Sequence, residues 1–376
     1  MMKKAIAVIT VFLIFLLKIH CYVYASDDNH AEILIDGTTG QVLYENNSDK
    51  KLHIGTLNKL MTVLIVAEKV DNGELSPNDR ITAGQNAFKE KGAVIWLETG
   101  EQMLLSDLLK GIIIGNANDA CVVVAEKISG TEKDFVSLMN TRAKELGMYN
   151  TVFSDCKGTG EGEQYSTAGD IAILTKELLS HEFLIPYMTT YMDELRDGKT
   201  QLVNTNTLVR KYKGVLGVKS AYSEQTGYCL SAAAKREDST FVAVVIGCKE
   251  KDDCISAGKA LLDRGFSSYE TIRPIVPTEL MVGVKVKGGT GKSVLIKPEK
   301  LSETIIPIGK SEDVTYKLEI PEYIEAPINK NQKIGELIYY LGDDEIYRTA
   351  IVASDSVEEM TFSNALLILF KSCISF

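Results

Sequence analysis

The sequence predicts an α/β protein whose first domain is one antiparallel sheet assembled from both ends of that domain, with helices between. A small all-β domain follows. Three observations predict this. A strand–turn–strand pattern stands near the start, three strand-like runs stand far downstream, and the stretch between them has mostly helical period. Beyond Pro274 and Pro277, short extended runs alternate with Gly and Pro turns.

The first residues read as an export signal. Lys3 and Lys4 precede an apolar run from Ala5 to Leu17, Lys18 closes it, and Val23 and Ala25 offer small residues at a cleavage site. The run is too short to span a bilayer comfortably. Glu32 to Ile35 and Gln41 to Tyr44, joined through Asp36-Gly37-Thr38-Thr39-Gly40, predict a hairpin. Thr56 to Val70 predicts a helix whose apolar face is too broad for exposure, so it is expected to be central and buried. Helices are expected over Leu104 to Ile113, Asp119 to Ile128, Phe135 to Leu146 and Ala168 to Leu178, the last capped by Ser166 or Thr167. Strands follow at Val215 to Val218, Cys229 to Ala234 and Phe241 to Ile246, then a helix at Ala257 to Phe266. Four further strands are expected at Met281 to Lys287, Ser293 to Ile296, Val314 to Ile320 and Ile334 to Tyr340. At the end, Phe362, Ala365, Leu366, Leu369, Phe370, Cys373 and Ile374 share one helical face, the pattern of a helix lying in a membrane interface. The expected divisions are thus a signal peptide over 1–25, a main domain over 26–272, an all-β domain over 273–357 and an amphipathic helix over 358–376.

Composition excludes several functions. The 376 residues are 45% hydrophobic and 24% charged, an ordinary globular balance. The net charge of −10 lacks the basic footprint of a nucleic-acid binder. The cysteines follow no CxxC or Cys/His spacing, so neither a metal site nor a cofactor is expected, and they read as buried thiols. Gly288-Gly289-Thr290-Gly291-Lys292-Ser293 lacks the first glycine of a phosphate loop and reads as a turn. Trp96, the only tryptophan, is expected in the core, and Glu161 and Glu163 in solvent.

Thr56 and Lys59 place a hydroxyl and an amine three residues apart, on one face of a helix. A lysine held in a dry site can lose its proton and act as base toward such a hydroxyl. Here the chain resembles the low-molecular-weight penicillin-binding D-alanyl-D-alanine carboxypeptidases, whose first motif is Ser-x-x-Lys. The resemblance extends to Asp36 through Glu45, Lys59-Leu60-Met61-Thr62, Asn118-Asp119-Ala120, Tyr165-Ser166-Thr167-Ala168, Asn204-Thr205-Asn206, Gly214 through Lys219 and Gly227 through Leu230. It implies a β-lactamase/transpeptidase-like sandwich of an antiparallel sheet and a helical subdomain. It also implies a peptidoglycan stem peptide as substrate, β-lactams as covalent ligands, and a place on the outer face of the bacterial membrane or in the cell wall.

All three catalytic motifs are altered. Thr56 stands for the serine, Asn116-Ala117-Asn118 for Ser-x-Asn, and Lys219-Ser220-Ala221 for Lys-Thr-Gly. The extra methyl of Thr56 stiffens its side chain and crowds the attack path. Asn116 has no hydroxyl to relay a proton to the leaving amine. Ser220 keeps a donor for a terminal carboxylate, whereas Ala221 puts a methyl on the strand edge and excludes backbone angles that glycine reaches easily. The resemblance implies that Thr56 attacks, Lys59 is the base, Asn116 and Asn118 form the second wall, and Lys219 with Ser220 holds the carboxylate. The amides of Thr56 and Tyr222 would form the oxyanion hole. Two functions stay open at this level: a weakened carboxypeptidase, and an inactive homologue that binds peptidoglycan peptides or a cell-wall partner.

Overall fold

The computed structural model describes residues 29–160 and 162–366. The export signal, Glu161 and the tail from Leu369 to Ile374 lie outside them.

The hairpin forms as strands β1 (Ala31–Asp36) and β2 (Val42–Asn46). Asp36 shapes its turn, accepting from the amides of Thr38 and Thr39 and from the Thr39 hydroxyl. A single 3₁₀ turn, Gly55–Asn58, then leads into helix α1 (Lys59–Asp71). The sequence pattern made one helix of these. Lys59 follows directly, its backbone amide donating to the Thr56 carbonyl, the i to i+3 closure that brings two residues to one side. Every residue from Lys59 to Ala67 is buried, so α1 is the central helix its pattern predicted. Each such Leu, Ile or Val contributes about 1.5–3 kcal/mol relative to exposure.

Around α1 lie α2 (Leu105–Ile113), α3 (Asn118–Ser129), α4 (Glu132–Glu145) and α5 (Ala168–Leu179). Thr167 caps α5, its hydroxyl accepting from the amide of Asp170 at 3.0 Å. The three downstream strands are longer than their apolar runs: β3 (Val215–Ser223), β4 (Gly227–Arg236) and β5 (Ser239–Cys248). They join the hairpin in one antiparallel sheet of order β2-β1-β5-β4-β3. Helix α6 (Lys251–Ser268) packs on one face of this sheet and α5 on the other. Both ends of the domain therefore meet at the β1–β5 pair, as the fold prediction requires. Strand β3 is the sheet's edge and faces the helical layer.

Beyond α6 the chain is all-β. Its largest sheet is built on the long hairpin Lys333–Leu341 and Asp344–Ala353. The second of these strands, half exposed and rich in charge, was missed by hydrophobic pattern. The expected strand from Ser293 breaks into Ser293–Val294 and Ile296–Pro298, which pair with different sheets. The glycines at 288–291 form the turn of a hairpin, with Val284 opposite Val294.

One expectation fails. Trp96 is 73% exposed and has a φ of 56°. Asp119 accepts hydrogen bonds from the amides of Ile95 and Leu97, and Arg196 donates to the Ile95 carbonyl. Ile95 and Leu97 turn into the core, so the residue between them points out. The cysteines at 121, 156, 229, 248 and 254 are buried free thiols, as expected.

Candidate active site

A cleft of about 640 Å³ runs between the edge strand β3 and the helical layer. Thr56, Asn116, Asn118, Ser220, Ala221 and Tyr222 line it. The three altered motifs, far apart in sequence, thus share one groove.

Close backbone approach builds the Thr56 side. Gly55 has a φ of 52°, and a Cβ there would lie 2.2 Å from the carbonyl oxygen of Tyr222. A Cβ on Gly158 would lie 2.1 Å from the carbonyl oxygen of Gly55. These glycines let the 3₁₀ turn, strand β3 and the loop at 154–160 stack without side chains between them. Asp155 organises that loop by accepting from the amides of Lys157 (2.6 Å), Gly158 (2.5 Å) and Gly160. Asn58 ties it to the turn by donating to the Asp155 carbonyl at 2.8 Å.

Lys59 is fully buried, and its Nζ donates to Asn118 Oδ1 and to the Lys157 carbonyl, both at 2.8 Å. Burial pushes its pKa down from the usual lysine value. A neutral amine has two N–H donors and one lone pair. Once Lys59 has lost its proton, the two acceptors match both donors and leave the lone pair as a base. Asn118 is fixed in turn, donating from Nδ2 to the Lys91 carbonyl at 2.7 Å, while its backbone amide donates to the Ala93 carbonyl at 2.7 Å.

Lys219 is also buried, and its Nζ donates to the Ile112 carbonyl at 3.1 Å. Burial and the nearby Lys59 lower its pKa to about 7. The unfolded chain therefore holds more protons than the folded one between about pH 7 and the ordinary lysine value, so stability rises with pH across that window. The urea midpoint of the wild type should climb from pH 7 to pH 9.5, and climb less in Lys219→Met; equal slopes would show that Lys219 titrates normally.

Asn116 differs from the rest. It adopts a φ of 59°, and its Nδ2 lies 3.4 Å from Thr56 Oγ1. Its Oδ1 is buried without a hydrogen-bond partner. The amide thus sits against the nucleophile position, in space where a smaller serine would leave room. Ala221 is milder than its sequence position suggests: it is buried, its methyl belongs to the apolar core, and its φ lies outside the left-handed region. Tyr222 is half exposed and tilts against Tyr228, with ring centroids 5.0 Å apart. The Thr205 hydroxyl donates to the Ser220 carbonyl at 3.3 Å, bracing the edge strand.

Comparison with known proteins decides the family. The model of the D-alanyl-D-alanine carboxypeptidase family matches residues 24–250, more than half of the chain. The chain belongs to this family. The model of the penicillin-binding protein 5 C-terminal domain matches residues 269–359. Among carboxypeptidase relatives, DacF of Bacillus subtilis (strain 168) is 36% identical over 334 residues, covering 88% of this chain and 86% of that one. The structure of penicillin-binding protein 5 from Haemophilus influenzae is 28% identical, with a TM-score of 0.80 over 88% of this chain and 97% of that one. Penicillin-binding protein D2 from Listeria monocytogenes, solved in an ampicillin-bound form, is 27% identical, with a TM-score of 0.58 over 66% of this chain and 99% of that one. The transpeptidase-like fold expected from the motifs is therefore the fold of this carboxypeptidase family member.

Sequence reasoning missed part of its cleft. Glu90, Lys91, Gly92, Ala93 and Thr159 form walls from loops with no period of their own. A second omission is His53. Its Nδ1 lies 2.8 Å from Ser223 Oγ and its Nε2 lies 3.0 Å from Gln164 Nε2, with Gln164 Oε1 accepting from Asn58. This chain of polar groups braces the back of the Thr56 turn. The only signal in the sequence was a histidine three residues before Thr56.

Proposed function

We propose that this protein is a D-alanyl-D-alanine carboxypeptidase of the bacterial cell envelope whose acylation step is slowed by Thr56 and Asn116. The observation that carries this is the buried Lys59, donating to Asn118 and to the Lys157 carbonyl, three residues on from a threonine that lines an open cleft. In the reaction Lys59 takes the Thr56 hydroxyl proton, and Oγ attacks the carbonyl between two D-alanines. The backbone amides of Thr56 and Tyr222 hold the oxyanion; losing one such donor costs about 3 kcal/mol in well-studied hydrolases. The C–N bond breaks, the Lys59 proton passes to the leaving amine, and D-alanine departs. Water then attacks the ester carbonyl, Lys59 takes its proton and returns it to Thr56 Oγ, and the shortened stem peptide leaves. Asn118 also holds the substrate backbone, and Lys219 with Ser220 holds its terminal carboxylate. The signal over 1–25 carries the enzyme outside the cytoplasm, and the tail from Phe362 lays it on the membrane surface, residues 358–360 being pinned to the all-β domain by the Glu358 carbonyl and the Met360 amide. Phe362, at the start of that tail, is exposed.

A second reading, an inactive homologue that binds stem peptides, is favoured by one observation: the Asn116 amide beside Thr56 Oγ1. Release of D-alanine from a peptide ending in D-Ala-D-Ala separates the two. Slow release, faster at higher pH as Lys59 loses its proton, supports the enzyme. Tight peptide binding with no release supports the homologue.

A further inference from the structure

The end of α1 opposite the cleft carries a second cluster. Glu68 and Asp71 lie in the last turn of α1, Glu177 in the last turn of α5, and His181 just beyond it. Arg142 and Glu145 reach in from α4. Glu68, Asp71, Arg142, Glu145 and His181 help line a hollow of about 390 Å³. One ring nitrogen of His181 and one carboxylate oxygen from each of Glu68 and Glu177 lie within 4.8 Å of one another.

His181 supplies the independent observation. It is more than nine-tenths buried. Its Nδ1 lies 2.5 Å from Asp71 Oδ2, while its Nε2 is buried with no hydrogen-bond partner. An imidazole fixed by a carboxylate on one nitrogen and bare on the other is poised to bind a metal. Charge favours the same conclusion. Arg142 pairs with Glu68, Glu145 and Glu177, Asp71 pairs with His181, and Lys69, which also lines the hollow, is drawn off by Glu74 at 2.7 Å, so four carboxylates outnumber the two cations. Arg142 engages Oε1 of Glu68 at 2.7 Å and Oε1 of Glu177 at 3.4 Å, so Oε2 of each lies outside those pairs. The C-termini of α1 and α5 both end here, and their carbonyls add partial negative charge.

We propose that Glu68, Glu177 and His181 bind one divalent transition-metal ion of the zinc class, with Asp71 orienting the imidazole. A ring nitrogen with two carboxylates suits zinc better than magnesium or calcium, and water would complete the shell. The ion would clamp the helix that carries Lys59 to its neighbour α5. Glu177 and His181 stand four residues apart at one helix end, but the third ligand, Glu68, comes from a helix end far away in the chain, so only folding assembles the set.

The test is calorimetric titration of the chelator-stripped full chain with zinc chloride, with metal analysis alongside. The expected result is one saturable site per chain and a melting temperature raised by about 5 °C at a hundredfold excess over Kd. His181→Gln should abolish binding, Asp71→Asn should weaken it about 10–100-fold, and Lys69→Gln should leave it unchanged. No saturable uptake by the folded protein would overturn the proposal, as would undiminished uptake by His181→Gln. Should that variant fail to fold, Asp71→Asn, at a half-exposed position, carries the decision: wild-type affinity there would overturn it equally.

Discussion

Thr56→Ala should remove all covalent labelling by a penicillin, while the wild type acquires the adduct slowly over long incubation. The change deletes one hydroxyl and one methyl at a half-buried position, so the fold should survive. Loss of the nucleophile in a hydrolase whose groups act as a unit costs about 10⁶-fold in rate. Starting from a slow wild type, that falls below detection. Intact-mass spectrometry reads the result directly. An adduct that persists in Thr56→Ala would mean that another group, such as the Lys59 amine, is being acylated, and the assignment of Thr56 would fall.

The second large effect is a gain. Thr56→Ser combined with Asn116→Ser should accelerate β-lactam acylation by about 100-fold or more, while Thr56→Ser alone should gain less than about tenfold. The first figure corresponds to about 2.7 kcal/mol of barrier and to the cost of a misplacement of about 1 Å. The reason lies in the pair itself. Removing the threonine methyl frees rotation about χ1, but the Asn116 amide still lies 3.4 Å from the hydroxyl. It still lacks the hydroxyl needed to pass a proton to the leaving group. Groups in contact do not add independently, so the double change should exceed the product of the single ones. A full gain from Thr56→Ser alone would show that Asn116 is not an obstacle. The rate constant of adduct formation, measured for wild type, both single variants and the double variant, decides the matter.

Much of the fold was legible in the chain. The hairpin near Asp36, the buried run from Lys59 to Ala67 and the three apolar strand runs each carry their own period. Thr167 carried its helix cap. The elements that went unread have weak patterns of their own. The strand Asp344–Ala353 is half exposed, and the cleft walls at Glu90 to Ala93 are loops. Trp96 was misplaced because the partners that turn it outward, Asp119 and Arg196, act through its neighbours' backbones.

The order of residues along the chain determined which side chains are available: a hydroxyl and an amine three apart, Asn116 and Asn118 flanking an alanine, and a lysine before Ser220. Local physics sufficed there, because period, capping and motif spacing are set within a few residues. Packing decided what those side chains do. It brought the Lys157 carbonyl and Asn118 onto the Lys59 amine, laid Asn116 against Thr56, and turned the Ala221 methyl into the core. It also decided charge, since an amine is pushed toward its neutral form by losing its water, and only the folded interior excludes that water.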